Sequence, residues 1–154
     1  MNDKDNIATA EMPLLYLFKW VEMVARARVE RAIRDMPVSG TQLLVLVLLR
    51  ERGEATSAEL ARMMRLTPQA MTTLLRPLRD GGLIERRQDD DHGRRLLMRL
   101  TDHGLSILKD TRRLIPEIED DLLDGFSEEE CELLRRLLSR IARRLDQADD
   151  GTTS

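Results

Sequence analysis

The chain lacks most of what would crosslink it, load it with metal or fix it in a membrane. Among its 154 residues there is one cysteine, Cys131, which leaves no partner for an internal disulfide. It stands among carboxylates, an acidic setting that disfavours a reactive thiolate and argues against a redox switch. The two histidines, His92 and His103, are too few to make a zinc set with no further cysteine in support. Asp89, Asp90 and Asp91 read as a solvated acidic turn. No metal and no cofactor is expected. The longest apolar run, Leu43 to Leu49, is far shorter than the ~18 residues a spanning helix needs. The first residues, MNDKDNIATAEM, lack the apolar core of a signal peptide. The expected compartment is the cytoplasm, with no membrane partner. There is also no nucleophile–base pair and no phosphate-binding glycine loop; Ser57, Ser106 and Ser127 have helix-start or surface explanations. No enzyme is expected.

Aromatic residues make up only 3% of the chain, against 42% hydrophobic and 34% charged. Leu, Met, Ala, Arg and Glu predominate, all good helix formers. The net charge of −3 is unevenly spread. From Arg62 to Arg99 there are nine arginines against five acidic residues, and from Glu117 to Glu130 eight acidic residues and no basic ones. A basic middle beside an acidic flank is able to meet phosphate locally despite an acidic total.

Hydrophobic periodicity predicts a first helix over 12–34, with Leu14, Leu17, Phe18, Val21, Val24 and Ala25 on one face and Pro37 ending the segment. Ser39 and Gln42 form an S-x-x-Q capping box before a helix buried nearly all round, which Gly53 stops. Thr56 and Glu59 repeat the box and open a short helix through Met64. After a tight connection at Arg65-Leu66, Thr67 caps a further helix with Pro68 at its first position, running to Asp80. Gly81 and Gly82 terminate it. Strands over Leu83–Arg87 and Arg94–Leu100 make a hairpin around a polar turn, with Leu96, Met98 and Leu100 on the inward face. Two more helices follow, one opened by Thr101 and the other by the capping box Ser127/Glu130. Pro77 and Pro116 are expected to kink their helices.

Thr56 to Asp80 thus has helix-turn-helix form. Met71, Leu74, Leu75 and Leu78 line the inner face of its second helix, while Gln69, Thr72, Thr73 and Arg76 line the outer. Those outer residues suit base edges: Gln pairs with adenine, Arg with guanine, and a Thr methyl packs on that of thymine. Thr56 and Ser57, at a helix N-terminus, are placed to hold a phosphate. Arg86, Arg87, Arg94 and Arg95 flank the hairpin tip, where arginine is able to enter a minor groove.

The stretch SAELARMMRLTPQAMTTLLRPLRDGGLIERR, followed by DDDHGRRLLMRLTDHG, resembles the MarR family of bacterial regulators. The D-x-x-x-G-R-R wing and the L-T-x-x-G after it carry the likeness, which extends over nearly the whole chain. The resemblance implies a mainly α (α+β) fold, a winged helix-turn-helix with a two-stranded wing and long N- and C-terminal dimerisation helices. In these terms residues 1–154 form one domain, with dimerisation helices at 12–36 and 102–148 and a DNA-binding lobe at 39–101. It further implies a homodimer on double-stranded DNA, usually a repressor, released in many members by a small aromatic or phenolic effector. Carried over by position, the family's recognition-helix contacts fall on Thr67, Pro68, Gln69, Thr72, Thr73 and Arg76, and its minor-groove arginine on Arg94. The family commonly has Asp two positions before that arginine, where this chain has His92; Asp90 or Asp91 is left to brace Arg94 instead. The effector-binding residues are unknown from the sequence. The competing reading is a winged helix that binds protein rather than DNA.

Overall fold

The computed structural model describes residues 11–89 and 95–150. The elements run α1 (Leu14–Ala32), α2 (Gly40–Arg52), β1 (Glu54–Thr56), α3 (Ser57–Met63), α4 (Pro68–Asp80), β2 (Ile84–Gln88), β3 (Leu96–Leu100), α5 (Asp102–Leu122) and α6 (Glu128–Asp150). The chain divides into two compact units, residues 1–118 and 119–154. None of the described helices is long and apolar enough to cross a membrane.

Local chemistry accounts for the helix starts. Gln42 N–H donates to the Ser39 hydroxyl, and Ser39 N–H donates to the Gln42 side chain, so α2 begins on a complete capping box. Glu30 of α1 accepts a further N–H of that first turn, from Gly40, at 2.9 Å. In the C-terminal unit, Ser127 and Glu130 exchange the same pair of bonds at the start of α6. Leu43, Val45, Leu46 and Leu49 of α2 are buried, whereas Leu44 is 49% exposed, so the helix is not enclosed all round as its run of apolar residues suggested.

The core of the N-terminal unit gathers Leu46 and Leu49 of α2, Leu60 of α3, Met71 and Leu78 of α4, Leu83, Ile84 and Met98 around the hairpin, and Ile107 and Leu108 of α5. Each large aliphatic side chain withdrawn from water there contributes about 1.5–3 kcal/mol before entropic costs.

The sheet has three strands in the order β1-β3-β2, all antiparallel. The predicted hairpin is β2–β3. β1 goes beyond that hairpin: it is three residues long, too short to show alternation, and it is squeezed between Gly53, at φ 78, and α3, which its own last residue Thr56 caps. Its presence changes the faces of β3. Met98 is buried, as expected, and Leu100 half-buried, but Leu97 is buried too and Leu96 is 48% exposed. Leu97 sits between Thr56 and Arg87 on its two neighbours, and the Arg87 side chain crosses β3 to reach Glu54, lying over it. β1 ends opposite Leu97, so Leu96 has a neighbour on one side only, Gln88.

Gly82 takes the left-handed conformation, φ 69, at the end of α4. Leu83 N–H bonds the Leu78 carbonyl and Gly82 N–H the Arg79 carbonyl, the paired bonds of a Schellman termination. Thr101 then ties the start of α5 to this point, its hydroxyl donating to the Gly82 carbonyl at 2.6 Å and its N–H to the Leu83 carbonyl at 3.1 Å. Pro77 and Pro116 lie inside the unbroken spans of α4 and α5.

Candidate nucleic-acid interface

The outward face of α4 is presented by its surroundings rather than by its own propensity. Thr67 caps the helix, its hydroxyl accepting Ala70 N–H at 3.1 Å, and Pro68 occupies the first position, where the missing N–H is harmless. Met71, Leu75 and Leu78 are buried beneath it. Gln42 of α2 also reaches the helix from within, its side-chain nitrogen 3.4 Å from the Leu74 carbonyl. Thr67, Pro68, Gln69, Thr72, Thr73 and Arg76 all lie on exposed surface. Gln69, Thr72, Thr73 and Arg76 share one side at helical spacing, opposite the buried residues.

The connection from α3 to α4 is as tight as the sequence suggests. Leu66 N–H bonds the Ala61 carbonyl and Arg65 N–H the Arg62 carbonyl, a second Schellman termination. Here the left-handed residue is Arg65, at φ 55, in the place glycine ordinarily fills.

Thr56 and Ser57 are at the start of α3. Thr56 N–H and the Thr56 hydroxyl both donate to one oxygen of Glu59, each at 2.7 Å, and Glu59 N–H returns to the Thr56 hydroxyl. Both Thr56 donors are therefore engaged by a carboxylate at the helix end expected to hold a phosphate. Ser57 is half-buried beside it. The backbone and hydroxyl donors of Thr56, with Arg95 and Arg62 nearby, hold the Glu59 carboxyl below the usual carboxylate range.

The other oxygen of Glu59 accepts from Arg95 at 3.2 Å. Asp89 approaches the same guanidinium at 3.9 Å, and its N–H bonds the Arg95 carbonyl. Arg95 thus joins the wing to α3. Arg86 is exposed on β2, in register with Met98 and on the face of the sheet that carries Ile84. Arg94, with Asp90, Asp91 and His92, lies outside the described residues, as does any brace between them.

Among the described residues, the closest charge pairs of the wing join side chains far apart in sequence or on different strands. Arg87 spans both oxygens of Glu54 at 3.2 and 3.3 Å, Arg99 meets Glu85 at 2.6 Å, and Arg95 meets Glu59. Glu85 and Glu54 both face Arg99 across the sheet, a signal visible only once the strand register is known.

Known proteins resemble this chain in sequence and in fold. The family model "MarR family" matches residues 38–96. The "HTH-type transcriptional repressor Rv2887" of Mycobacterium tuberculosis is 30% identical over 131 residues, which are 85% of this chain and 94% of that protein. A crystal structure of MarR superposes with a TM-score of 0.86 at 23% identity, covering 95% of this chain and 99% of that one. A mutant MarR from E. coli complexed with operator DNA gives 0.75 at 21% identity, over 89% and 99%. These last two establish the fold, and the mycobacterial relative the kinship. The chain belongs to the MarR family of transcriptional regulators.

Proposed function

We propose that this protein is a homodimeric repressor that binds a near-palindromic DNA operator through α4 and the wing, and that a small aromatic or phenolic effector releases it. The observation that carries the DNA reading is the face of α4: Gln69, Thr72, Thr73 and Arg76 stand exposed opposite buried Met71, Leu75 and Leu78 and half-buried Leu74. Such a helix, held against a capped partner helix, presents its N-terminal turns to a major groove. The operator complex of the E. coli relative supports the same use of the fold. Within this reading Gln69 and Arg76 read bases, Thr67 and Pro68 approach the backbone at the helix start, Arg86 meets a phosphate beside the wing, and Arg94 reaches the flanking groove. Arg95 holds the wing in place, and Thr56 and Ser57 steady the start of α3.

Dimerisation is supported by apolar surface in each unit. On α1, Leu14, Leu15, Tyr16 and Val21 are each more than half exposed, and no residue of that helix is buried. On α6, Leu133, Leu137, Leu138 and Ile141 are exposed along one side. Exposed apolar surface of this extent favours a covering partner. The effector rests on family kinship alone, and the cytoplasm follows as the compartment in which such a regulator meets DNA.

The test is the mass in solution, followed by binding to DNA from the region upstream of its own gene at two salt concentrations. The expected result is a dimer whose affinity falls steeply as salt rises, because phosphate contacts release counterions. A dimer with no affinity for any DNA at low salt would favour a winged helix that binds protein. Release of the bound DNA by members of a phenolic and aromatic-acid panel tests the effector; a panel without effect removes that part of the reading.

A further inference from the structure

Threonine is often treated as a hydrogen-bonding reader of DNA, but both threonines on the outer face of α4 have already committed their hydrogens. The Thr72 hydroxyl donates to the Pro68 carbonyl at 2.9 Å, and the Thr73 hydroxyl donates to the Gln69 carbonyl at 3.1 Å. A threonine hydroxyl has one hydrogen. Once that hydrogen bonds the preceding turn, nothing remains to donate to a phosphate oxygen, to guanine O6 or N7, or to thymine O4. The bond also places the oxygen in the side-chain position that lies against the preceding turn. The γ-methyl is left in one of the positions that project from the helix. Thr72 and Thr73 are both exposed, so two methyl groups stand side by side between the donor-bearing Gln69 and Arg76.

We propose that Thr72 and Thr73 are specificity-determining residues that read the 5-methyl groups of thymine by apolar contact, while Gln69 and Arg76 supply the hydrogen bonds to bases. This rests on the DNA-binding reading above and names the chemistry of the half-site: thymines at the steps beneath Thr72 and Thr73. In the major groove thymine alone among the four bases carries a methyl group.

The experiment begins by selecting duplexes from a random pool with the wild-type protein. The enriched duplex is then remade with deoxyuridine replacing thymine, one position at a time, which deletes only the methyl. Two double variants are compared, Thr72→Val with Thr73→Val, and Thr72→Ser with Thr73→Ser. Valine keeps a methyl in the projecting position and loses the hydroxyl; serine does the reverse. The expected result is that wild type loses roughly fourfold in affinity for each critical thymine changed to deoxyuridine. The valine variant should keep wild-type affinity within about threefold and keep that discrimination. The serine variant should lose at least about tenfold on the thymine duplex and no longer distinguish it from the deoxyuridine form. Circular dichroism establishes that each variant is folded. Equal wild-type affinity for the thymine and deoxyuridine forms overturns the assignment, as does loss of binding in the valine variant with retention in the serine variant. Those outcomes leave DNA binding itself intact. A wild-type protein that enriches no duplex overturns the DNA reading and this assignment with it.

Discussion

The backbone of Gly104 lies hard against the carbonyl oxygen of Leu83: a Cβ built on Gly104 would stand 2.2 Å from that oxygen and 3.2 Å from the Leu100 side chain. The obstacle is main chain, held by its bond from Thr101 N–H, so it has little freedom to retreat. The glycine of the L-T-x-x-G motif is thereby explained as a requirement for close approach of α5 to the strand that follows α4.

Gly104→Ala should accordingly destabilise the N-terminal unit by about 1–3 kcal/mol or more, the cost of inserting volume where no side chain can yield. Urea unfolding checks this, as a lower midpoint with an unchanged slope. A midpoint equal to wild type would show that α5 can move away from the Leu83 carbonyl at little cost.

Arg65 presents the opposite case, a side chain in a glycine's conformation at φ 55. Asparagine tolerates that region and β-branched residues do not. Arg65→Asn should stay within about 0.5 kcal/mol of wild type, and Arg65→Val should lose about 1–2 kcal/mol. Thermal unfolding of the two variants side by side measures the difference.

The Glu59 carboxyl has a lowered pKa because Thr56 donates to its charged form, with help from the arginines. A depressed acid contributes stability that is fully present above its unfolded pKa, about 4.3. That contribution is lost as pH falls from there through the lower folded value. Wild type should therefore lose stability below about pH 4.5 more steeply than Glu59→Gln, which carries no such titration. Urea midpoints from pH 7 to 3 test it, and parallel curves for the two proteins would contradict it.

Arg76 and Arg86 should fail differently. Arg76→Ala is expected to cost about 1–3 kcal/mol on the preferred duplex and to relax the preference at one base pair. Arg86→Ala should weaken binding evenly across sequences and reduce the salt dependence by the equivalent of about one phosphate contact. Arg94→Ala should reduce affinity with the fold intact. Titrations on preferred and scrambled duplexes at several salt concentrations separate these behaviours.

Much of this arrangement was legible because it is written locally. Ser39/Gln42, Thr56/Glu59 and Ser127/Glu130 announce helix starts through bonds that span three residues, and Thr67-Pro68 and Gly81-Gly82 bracket α4 in the same way. The division of α4 into a buried and an exposed side follows from a period that needs no tertiary information. What escaped depends on distant parts of the chain meeting. β1 exists because Glu54–Thr56 finds β3 more than forty residues later, and the fates of Leu96 and Leu97 turn on where that short strand stops. The link from Glu59 to Arg95 likewise crosses from the start of α3 to the wing. The sequence marked Glu59 as a cap and Arg95 as a groove-seeking cation, and each has a second role that only the fold reveals.

The pairing of Arg87, Arg95 and Arg99 with Glu54, Glu59 and Glu85 has a consequence for how the protein searches a genome. Grip on random DNA is almost wholly a matter of cations displacing the ions condensed on phosphate. Guanidinium groups already facing carboxylates displace few. A lobe that is arginine-rich on paper should thus hold arbitrary DNA weakly and leave it quickly. On the proposed reading, its dwell time should then be concentrated at the duplex that α4 prefers.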